Sequence, residues 1–386
     1  MIPYGKQNIN SQDIDAVIDV LKSDYLTQGP VIPLFEESLS KHVAANYAVA
    51  VNSATSALHI ACLALGVAKG DVVWTSPVSF VASANCALYC GASVDFVDID
   101  KISNNMSVEK LAEKLQRHKN KNMVLPKVVI PVHLAGHSCD MEAIHTLSEQ
   151  YGFKIIEDAS HAIGASYKGQ PVGCGKYSEI TVFSFHPVKI ITTGEGGIAT
   201  TNHAALYEKM ALLRSHGITR DESHLAKKSD GPWYYEQHSL GFNYRLTELQ
   251  GALGNSQLSR LSEFIELRKT IANYYLMALC DLPIELPFVN DSSQSSWHLF
   301  IIKLQLEKIS KTHKQVFTEL RDLGLGVNLH YIPIYRQPYY QSMGFEVDYC
   351  NNADDYYDRA LSIPIYHGMS QEDQKYVVNI LTRVLS

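Results

Sequence analysis

The segment that decides the fold is residues 183–197, which reads FSFHPVKIITTGEGG. Aromatic and β-branched residues at its start predict a strand, and the glycines at its end allow a tight turn of the backbone. Between them stands a single lysine, Lys189, which this pattern places just beyond the strand. If apolar residues surround it, desolvation lowers the pKa of its ammonium group and leaves an amine that can condense with an aldehyde. An ordinary surface lysine in a glycine-rich loop is the alternative on local chemistry alone.

Outward from this segment, short apolar stretches alternate with helical patterns. Strands that alternate with helices are typical of a mainly parallel sheet covered on both faces. Sites in such sheets lie beyond the carboxyl ends of the strands, so we expect the chemistry in the loops that follow them. The predicted strands are 47–51, 72–75, 94–98, 127–132, 154–157, 180–185 and 198–201.

Two of these loops carry candidate groups for an anion and for a flat ring. Residues 52–58 read NSATSAL, small hydroxyl residues that open an apolar helix. Free backbone N–H groups and the positive helix end make this a candidate phosphate site, with a plain Ser or Thr cap as the alternative. After the second strand, Phe80 could be a core residue or a platform for a flat ring.

Residues 155–164, IIEDASHAIG, put Asp158 at the end of a strand. A carboxylate partly removed from water can hold a proton on a heteroaromatic nitrogen. Considered alone, Asp158 is as compatible with a helix cap, and His161 is more often a core histidine than a catalytic one.

The two ends of the chain lack the regular alternation of strands and helices seen in the middle. Residues 10–23 combine an initial cap with helical spacing, which predicts an amphipathic helix followed by a polar loop. Beyond residue 257 the pattern predicts strands at 297–304 and 326–331 and a helix at 311–323. We therefore predict a large domain, residues 1–255, with an N-terminal helical arm at 1–30, and a smaller C-terminal α+β domain, residues 256–386.

The bulk composition excludes several classes of protein. A formal charge of −7 gives no basic stripe for nucleic acid. No basic and apolar leader opens the chain, and no stretch approaches the roughly 18 apolar residues of a membrane helix. Seven cysteines without a Cys-x-x-Cys pattern fit reduced thiols. We expect a cytoplasmic enzyme that binds neither nucleic acid nor membrane.

Taken together, the strand-end Asp158, the hydroxyl cluster at a helix start, Ser184 and Lys189 are what a pyridoxal phosphate site requires. In the order and spacing of its motifs, almost the whole sequence resembles the sugar-nucleotide aminotransferases of the DegT/DnrJ/EryC1/StrS family, within fold type I of the pyridoxal phosphate enzymes. The motifs are LTQGP at 26–30, NSATSAL at 52–58, EDASH at 157–161, Ser184 five residues before Lys189, the glycine cluster at 194–197, SHG at 215–217, GFNYRL at 241–246 and HYIPIY at 330–335.

This resemblance implies an α/β fold with a large, mainly parallel seven-stranded αβα domain, and it implies roles for individual residues. Lys189 is the Schiff-base lysine and Asp158 pairs with the ring nitrogen of pyridoxal 5'-phosphate. Phe80 stacks on the ring, and His161 lies near its phenolic oxygen. The phosphate is held by Ala54, Thr55 and Ser184, with Asn243 reaching in from a partner subunit, which implies a homodimer with shared active sites.

Within the family, the resemblance is closest to members of pseudaminic acid biosynthesis. It implies transfer of an amino group from glutamate to C4 of a UDP-linked 4-keto-6-deoxy-N-acetyl hexose, giving UDP-4-amino-4,6-dideoxy-N-acetyl-β-L-altrosamine. A sibling reaction on another nucleotide-linked 4-keto sugar, of the perosamine, bacillosamine or 4-amino-arabinose type, remains open. The implied sugar-nucleotide contacts are Tyr4, Asp24, Tyr25, Leu26, Thr27, Asn328, His330 and Tyr331.

Three other interpretations fit less well. A nicotinamide-dependent dehydrogenase needs a Gly-x-Gly-x-x-Gly motif after the first strand, which the sequence lacks. A pyridoxal-binding regulator needs a partner-binding module such as a helix-turn-helix, and the two predicted domains use the whole chain. Asp98 and Asp100 could suggest a metal, but acidic residues in a solvated turn explain them more simply, so we predict no metal site.

Overall fold

The computed structural model describes residues 1–290 and 292–386. Within them, the strands are β1 (Ile2–Pro3), β2 (Tyr47–Val51), β3 (Val72–Thr75), β4 (Ser93–Phe96), β5 (Val128–Ile130), β6 (Lys154–Asp158), β7 (Ser166–Tyr167), β8 (Gln170–Pro171), β9 (Ile180–Ser184), β10 (Gly197–Thr201), β11 (Ile218–Thr219), β12 (Glu236–Gln237), β13 (Ile284–Glu285), β14 (Ser293–Gln294), β15 (Phe300–Leu304), β16 (Leu325–Gly326) and β17 (Ala360–Ile363).

The α-helices of the same residues cover both faces of the main sheet and most of the C-terminal region. They are α1 (Ser11–Leu21), α2 (Val31–Val43), α3 (Ala54–Ala64), α4 (Ala82–Tyr89), α5 (Val108–Asn120), α6 (Met141–Tyr151), α7 (Ala204–Arg214), α8 (Glu248–Ser259), α9 (Leu261–Ala278), α10 (His313–Asp322), α11 (Pro338–Gln341), α12 (Asn351–Arg359) and α13 (Gln371–Leu385). None of them is both long and apolar enough to cross a membrane.

A seven-stranded sheet organises the large part of the molecule, in the order β2-β10-β9-β6-β5-β3-β4. Neighbouring strands from β9 to β4 are parallel, whereas β10 runs antiparallel to both β9 and β2. All seven predicted strands form and belong to this sheet, which confirms the predicted α/β fold with a mainly parallel sheet. The strands form because their β-branched and aromatic residues are buried on both faces.

Alternate residues of each strand enter different apolar cores. In β2, Val49 and Val51 pack with α3 and α4, whereas Ala48 and Ala50 pack on the opposite face with α2. This period of two follows from the pleat of a strand. The sheet is therefore a rigid layer between two layers of helices, and the loops at its carboxyl edge are fixed in position.

The C-terminal region is built on the antiparallel sheet β13-β15-β17, which packs with α9, α10 and α13. The predicted strand at 297–304 begins only at Phe300, because Trp297 has a left-handed backbone, with a φ of 50°, that interrupts a ladder. The predicted strand at 326–331 is wrong. Only Leu325–Gly326 pairs, with β1, and Asn328 forms a single bridge to Ser362 before the chain turns toward Lys189.

The N-terminal segment joins both parts of the molecule. Its first residues pair with β16, and α1 then packs on α8. The predicted helix of residues 10–23 is confirmed as Ser11–Leu21. It starts at Ser11 because Asn10 and Asp13 form a capping box. The predicted division at residue 255 falls inside α8 and stays a prediction.

Candidate active site

Lys189 lies in a tight loop that leaves the end of β9 and returns to the start of β10. The N–H of Phe185 donates to the carbonyl of Gly196 at 2.9 Å, and the N–H of Thr193 donates to the carbonyl of Phe185 at 3.0 Å. Gly194, at the turn, has a φ of 80°, which favours glycine. The strand, turn and glycine cluster therefore place Lys189 at the carboxyl edge of the sheet, as its sequence predicts.

The pKa of the Lys189 amine is lower than that of a surface lysine. Burial lowers its pKa to about 8, against the opposing attraction of the Asp158 carboxylate. At pH 7, roughly one molecule in ten then carries the neutral amine. A neutral amine is the form that attacks a carbonyl carbon.

Asp158 ends β6 and is buried. Its Oδ2 accepts a hydrogen bond from the hydroxyl of Ser83 at 2.6 Å, and its Oδ1 accepts one from the N–H of Ser160 at 3.1 Å. The next helix after Asp158 is α7, which starts at Ala204, so Asp158 is not a helix cap. These two donors hold the carboxylate in a fixed position. Its charge opposes the lowering of the Lys189 pKa.

The start of α3 forms a cradle beside Ser184. Gly197 pairs with Val51 on one side and with Ser184 on the other. A Cβ atom on Gly197 would lie only 2.4 Å from the backbone nitrogen of Ala54, so only glycine allows this approach. Ser53 caps the helix, and the first N–H groups of a helix have no partner within it.

This cradle has the chemistry of a phosphate site. Ala54 and Thr55 are the first two residues of α3, and the register of β9 and β10 brings Ser184 to the same place. A helix N-terminus with unpaired N–H groups and an adjacent hydroxyl binds anions well. The plain-cap alternative explains Ser53 alone, but it does not explain why Gly197 must approach the helix so closely.

His161 and Tyr331 form a buried hydrogen-bonded pair. The N–H of Ala135 donates to Nδ1 of His161 at 3.2 Å, and Nε2 of His161 lies 3.0 Å from the hydroxyl oxygen of Tyr331. Burial lowers the pKa of His161 well below its usual range, and the charge of Lys189 adds to this effect. The ring is therefore neutral, and because Nδ1 accepts, its proton is on Nε2 and is donated to Tyr331.

Other aromatic rings surround Lys189. His298 lies against His161, with ring centroids 4.4 Å apart, and Tyr4 lies 5.0 Å from His330. Burial, and secondarily the charge of Lys189, lowers the pKa of His330 to about 3. The ring of Phe80 is 60% exposed and lies 6.4 Å from that of Tyr331, so Phe80 is not a core residue. It presents its ring to open space.

Two groups of predicted site residues lie apart from this cluster. The loop from Asp24 to Thr27 is exposed, and its carbonyl at Leu26 accepts a hydrogen bond from the N–H of Glu248 at 3.0 Å. Asn243 is also exposed and pairs through its backbone with Ser215. Among the described residues, no hydrogen bond or ring contact joins either group to Lys189.

Two neighbours of the site were missed in the sequence. Ser83, which binds Asp158, lies on α4 four residues after Ser79, and the two hydroxyls are 2.7 Å apart. His298 precedes β15, and only the tertiary fold brings its ring against that of His161. Ser79 precedes α4, so its spacing from Ser83 carries no helix-face signal, and nothing local identifies His298 either.

Asp98 and Asp100 each have structural partners. The carboxylate of Asp98 accepts from the N–H groups of Asn352 and Ala353, at the start of α12. Asp100 accepts from the N–H and the hydroxyl of Ser103. Asp100 therefore caps a local turn, as interpreted from the sequence, whereas Asp98 caps the start of α12.

The arrangement fits pyridoxal phosphate on three independent observations. A partly buried amine with a lowered pKa feels the charge of a fixed carboxylate, a glycine leaves room at a helix N-terminus, and an exposed aromatic ring flanks the space. The amine matches an aldehyde and the carboxylate matches a ring nitrogen. The helix N-terminus matches a phosphate, and the exposed aromatic ring matches a flat ring. Once bound, pyridoxal phosphate supplies an electron sink for reactions at a carbon that carries nitrogen.

Comparisons with known proteins agree with this chemistry. A UDP-4-amino-4,6-dideoxy-N-acetyl-β-L-altrosamine transaminase from Campylobacter jejuni is 39% identical over 386 residues, which cover 100% of this chain and 98% of the relative. The structure resembles that of Helicobacter pylori PseC, an aminotransferase involved in the biosynthesis of pseudaminic acid, with a TM-score of 0.89, 31% identity and coverage of 100% and 99%.

A putative sugar aminotransferase from Streptococcus pneumoniae, solved in its PLP form, has a TM-score of 0.88 at 27% identity, with full coverage of both chains. The sequence profile of the DegT/DnrJ/EryC1/StrS aminotransferase family matches residues 7–382. Members of this family depend on pyridoxal phosphate. The chain therefore belongs to the DegT/DnrJ/EryC1/StrS aminotransferase family.

Proposed function

We propose that this protein transfers an amino group from glutamate to C4 of a UDP-linked 4-keto-6-deoxy-N-acetyl hexose, giving UDP-4-amino-4,6-dideoxy-N-acetyl-β-L-altrosamine. The observation that carries the transaminase chemistry is the partly buried Lys189 amine, whose pKa is lowered to about 8 by desolvation against the attraction of the Asp158 carboxylate. The choice of sugar is supported by the names of the Campylobacter relative and of PseC.

In this proposal each group around Lys189 has one task toward pyridoxal phosphate. Lys189 binds its aldehyde carbon, and Asp158 keeps its ring nitrogen protonated. Phe80 covers one face of the ring, and His161 lies on the side of its phenolic oxygen. Ala54, Thr55 and Ser184 hold the phosphate.

Lys189 also moves protons during the reaction. With its amine free, Nζ would take a proton from the amino donor's carbon that bears the nitrogen, and in the second half of the cycle the same atom would give a proton to C4 of the sugar. A base works best when its pKa lies near the operating pH. The lowered pKa of about 8 therefore suits Lys189 to this step.

The neutral histidines make the pocket suitable for a carbonyl substrate. Burial lowers the pKa values of His161, His298 and His330, so none of the three adds a positive charge beside Lys189. Their rings instead exclude water and offer neutral donors and acceptors. The keto sugar would lie on this side of the pocket, against Tyr4, Asn328, His330 and Tyr331.

We further propose a homodimer with shared active sites. Asn243 and the loop of Asp24, Tyr25, Leu26 and Thr27 are exposed, and Tyr25 and Leu26 present apolar surface with 54% and 50% exposure. Leu240, close to Asn243 in sequence, is 83% exposed. Large apolar side chains at such exposure favour burial in an interface. In the dimer, these residues would complete the partner's site.

A cytoplasmic location agrees with the state of the cysteines. All seven are free, and Cys62, Cys86, Cys139 and Cys350 are buried as ordinary core residues. Free thiols persist in a reducing compartment.

A sibling reaction on another nucleotide-linked 4-keto sugar is the second candidate. The residues around Lys189 and Asp158 act on the cofactor and would be the same for every sugar substrate. The two candidates differ only in the groups that touch the sugar and the nucleotide.

The test is the near-visible absorbance of the purified protein with pyridoxal phosphate. We expect a band that bleaches with glutamate and returns when a 4-keto sugar is added. Return only with the UDP-linked 4-keto-6-deoxy-N-acetyl hexose that leads to the altrosamine product supports the proposed substrate, and return only with another nucleotide-linked 4-keto sugar supports the sibling reaction. A protein that shows no band with added cofactor would contradict the proposed chemistry.

A further inference from the structure

Arg268 is a buried arginine that binds carbonyl groups instead of a carboxylate. It lies within α9 with no exposed surface, and none of the ion pairs among residues 1–290 and 292–386 includes it. Its Nη1 lies 3.0 Å from the carbonyl oxygen of Trp297, 3.2 Å from that of His298 and 3.1 Å from that of Ile365. A buried charge is costly to maintain, so this one has a specific structural task.

Two of these carbonyls belong to the segment 296–298, which docks directly behind His161. The hydroxyl of Ser296 donates to the carbonyl of His161 at 2.9 Å, and the ring of His298 lies 4.4 Å from the His161 ring. The fit is tight, because a Cβ atom on Gly136 would lie 2.4 Å from the Ser296 hydroxyl. A shift of this segment would therefore move His161.

The third carbonyl connects Arg268 to the opposite wall of the pocket. The N–H of Ile365 donates to the carbonyl of Tyr4 at 3.1 Å, and the ring of Tyr4 lies 5.0 Å from that of His330. Arg268 thus joins two loops that approach the pocket from different parts of the chain. One loop carries His298, which contacts His161, and the other fixes Tyr4 beside His330.

We propose that Arg268 is a positioning residue for the active site: its guanidinium group ties the segment 296–298 to residue 365 and so fixes His161 against Tyr331. The inference rests on the proposed function for its meaning in catalysis. All three carbonyls are contacted by one atom, Nη1, at the far end of the arginine side chain. A lysine at this position would keep the charge, but its side chain is one bond shorter, so its ammonium could not reach both loops without moving one of them.

The test compares R268K and R268M with R359M as a matched control. Arg359 is another arginine of the C-terminal region, but it pairs with Glu285 and Asp355. We expect the glutamate half-reaction to slow about 10²-fold in R268M, the cost of a small misplacement of reacting groups, and less in R268K. The second readout is the pH midpoint of the cofactor absorbance, which depends on the groups around the cofactor. It should shift in both Arg268 variants and stay unchanged in R359M.

A double-mutant cycle with S296A separates positioning from stability and remains usable if R268M does not fold. If Arg268 acts through the 296–298 segment, the effects of R268K and S296A on the pH midpoint will not add. Additive effects, or an Arg268 variant that changes only the melting temperature, would overturn the inference. A wild-type protein without any cofactor band would instead overturn the proposed function, so the two failures are distinguishable.

Discussion

Nε2 of His161 lies 3.0 Å from the hydroxyl oxygen of Tyr331, and the direction of this hydrogen bond is fixed. Nδ1 of His161 already accepts the N–H of Ala135, so the ring donates from Nε2. The hydroxyl oxygen of Tyr331 is therefore an acceptor here, which leaves its own proton available to another acceptor. Burial raises the pKa of Tyr331, and the charge of Asp158 adds to this, so the hydroxyl keeps its proton.

We predict that Tyr331 donates a hydrogen bond to an oxygen atom of the bound sugar. Y331F should then slow the reaction with the keto sugar by about 10- to 100-fold, because a buried polar group left without its partner costs about 1–3 kcal/mol. The glutamate half-reaction should slow as well, but less, because Y331F also removes the hydrogen-bond acceptor of His161. Single-turnover absorbance of each half-reaction measures this, with Y376F as the control, because the hydroxyl of the exposed Tyr376 binds the carbonyl of Leu323. Equal losses in both half-reactions would contradict the prediction.

The lowered pKa of Lys189 has a consequence for the stability of the cofactor-free protein. The pKa of Lys189 is about 8 in the folded protein and about 10.4 in the unfolded chain. Protonated Lys189 therefore lowers the free energy of unfolding at low pH. The unfolded chain binds more protons between these two values, so stability rises with pH across that window. K189M removes the group and should be more stable than the wild type below pH 8. The difference should shrink toward pH 10.4.

Thermal unfolding of the two cofactor-free proteins from pH 6.5 to pH 10 checks this prediction. K41M is a suitable control, since Lys41 is exposed and pairs with Glu37 on a helix surface. A constant difference between K189M and wild type at all pH values would show that packing, and not the charge of Lys189, is responsible.

Gly197 tests the phosphate cradle. A Cβ atom there would lie 2.4 Å from the backbone nitrogen of Ala54, and backbone atoms cannot move aside cheaply. G197A should lower stability by about 1–3 kcal/mol and weaken binding of pyridoxal phosphate. Binding of pyridoxal, which lacks the phosphate, should change much less. Equilibrium titration with both compounds measures the difference. G368A is the control, because its new Cβ would meet nothing closer than 3.8 Å, and equal losses for both compounds in G197A would contradict a phosphate role.

The sheet could be predicted from the sequence because its strands are short runs rich in apolar and β-branched residues. Val49, Val182 and Ile198 lie in runs of buried β-branched residues, and Gly197 and Gly194 mark the turn beside Lys189. Such information is local, since it depends on burial of both faces and on backbone freedom. Strand ends then bring Lys189, Asp158 and Ser184 to one edge by topology alone.

The C-terminal side of the site could not be predicted in the same way. His298 and Arg268 are 30 residues apart in sequence, and their contact exists only after two segments have docked. The apolar pattern of residues 326–331 suggested a strand, but Tyr331 is used to bind His161. Tertiary contacts override a local pattern when they bury more surface or satisfy a polar group.

Ser83 tests whether Asp158 needs a fixed orientation. Its hydroxyl donates to Oδ2 of Asp158 at 2.6 Å, and a hydrogen bond to a charged group is worth about 1.5–3 kcal/mol. S83A should leave Asp158 free to rotate away from the cofactor nitrogen, and the glutamate half-reaction should slow by about 10- to 100-fold. S79A is the matched control: Ser79 contacts Ser83 at 2.7 Å but not Asp158, so its rate should remain close to that of the wild type. If S79A and S83A slow the reaction equally, the two hydroxyls act as one packing unit and the Asp158 contact has no separate role.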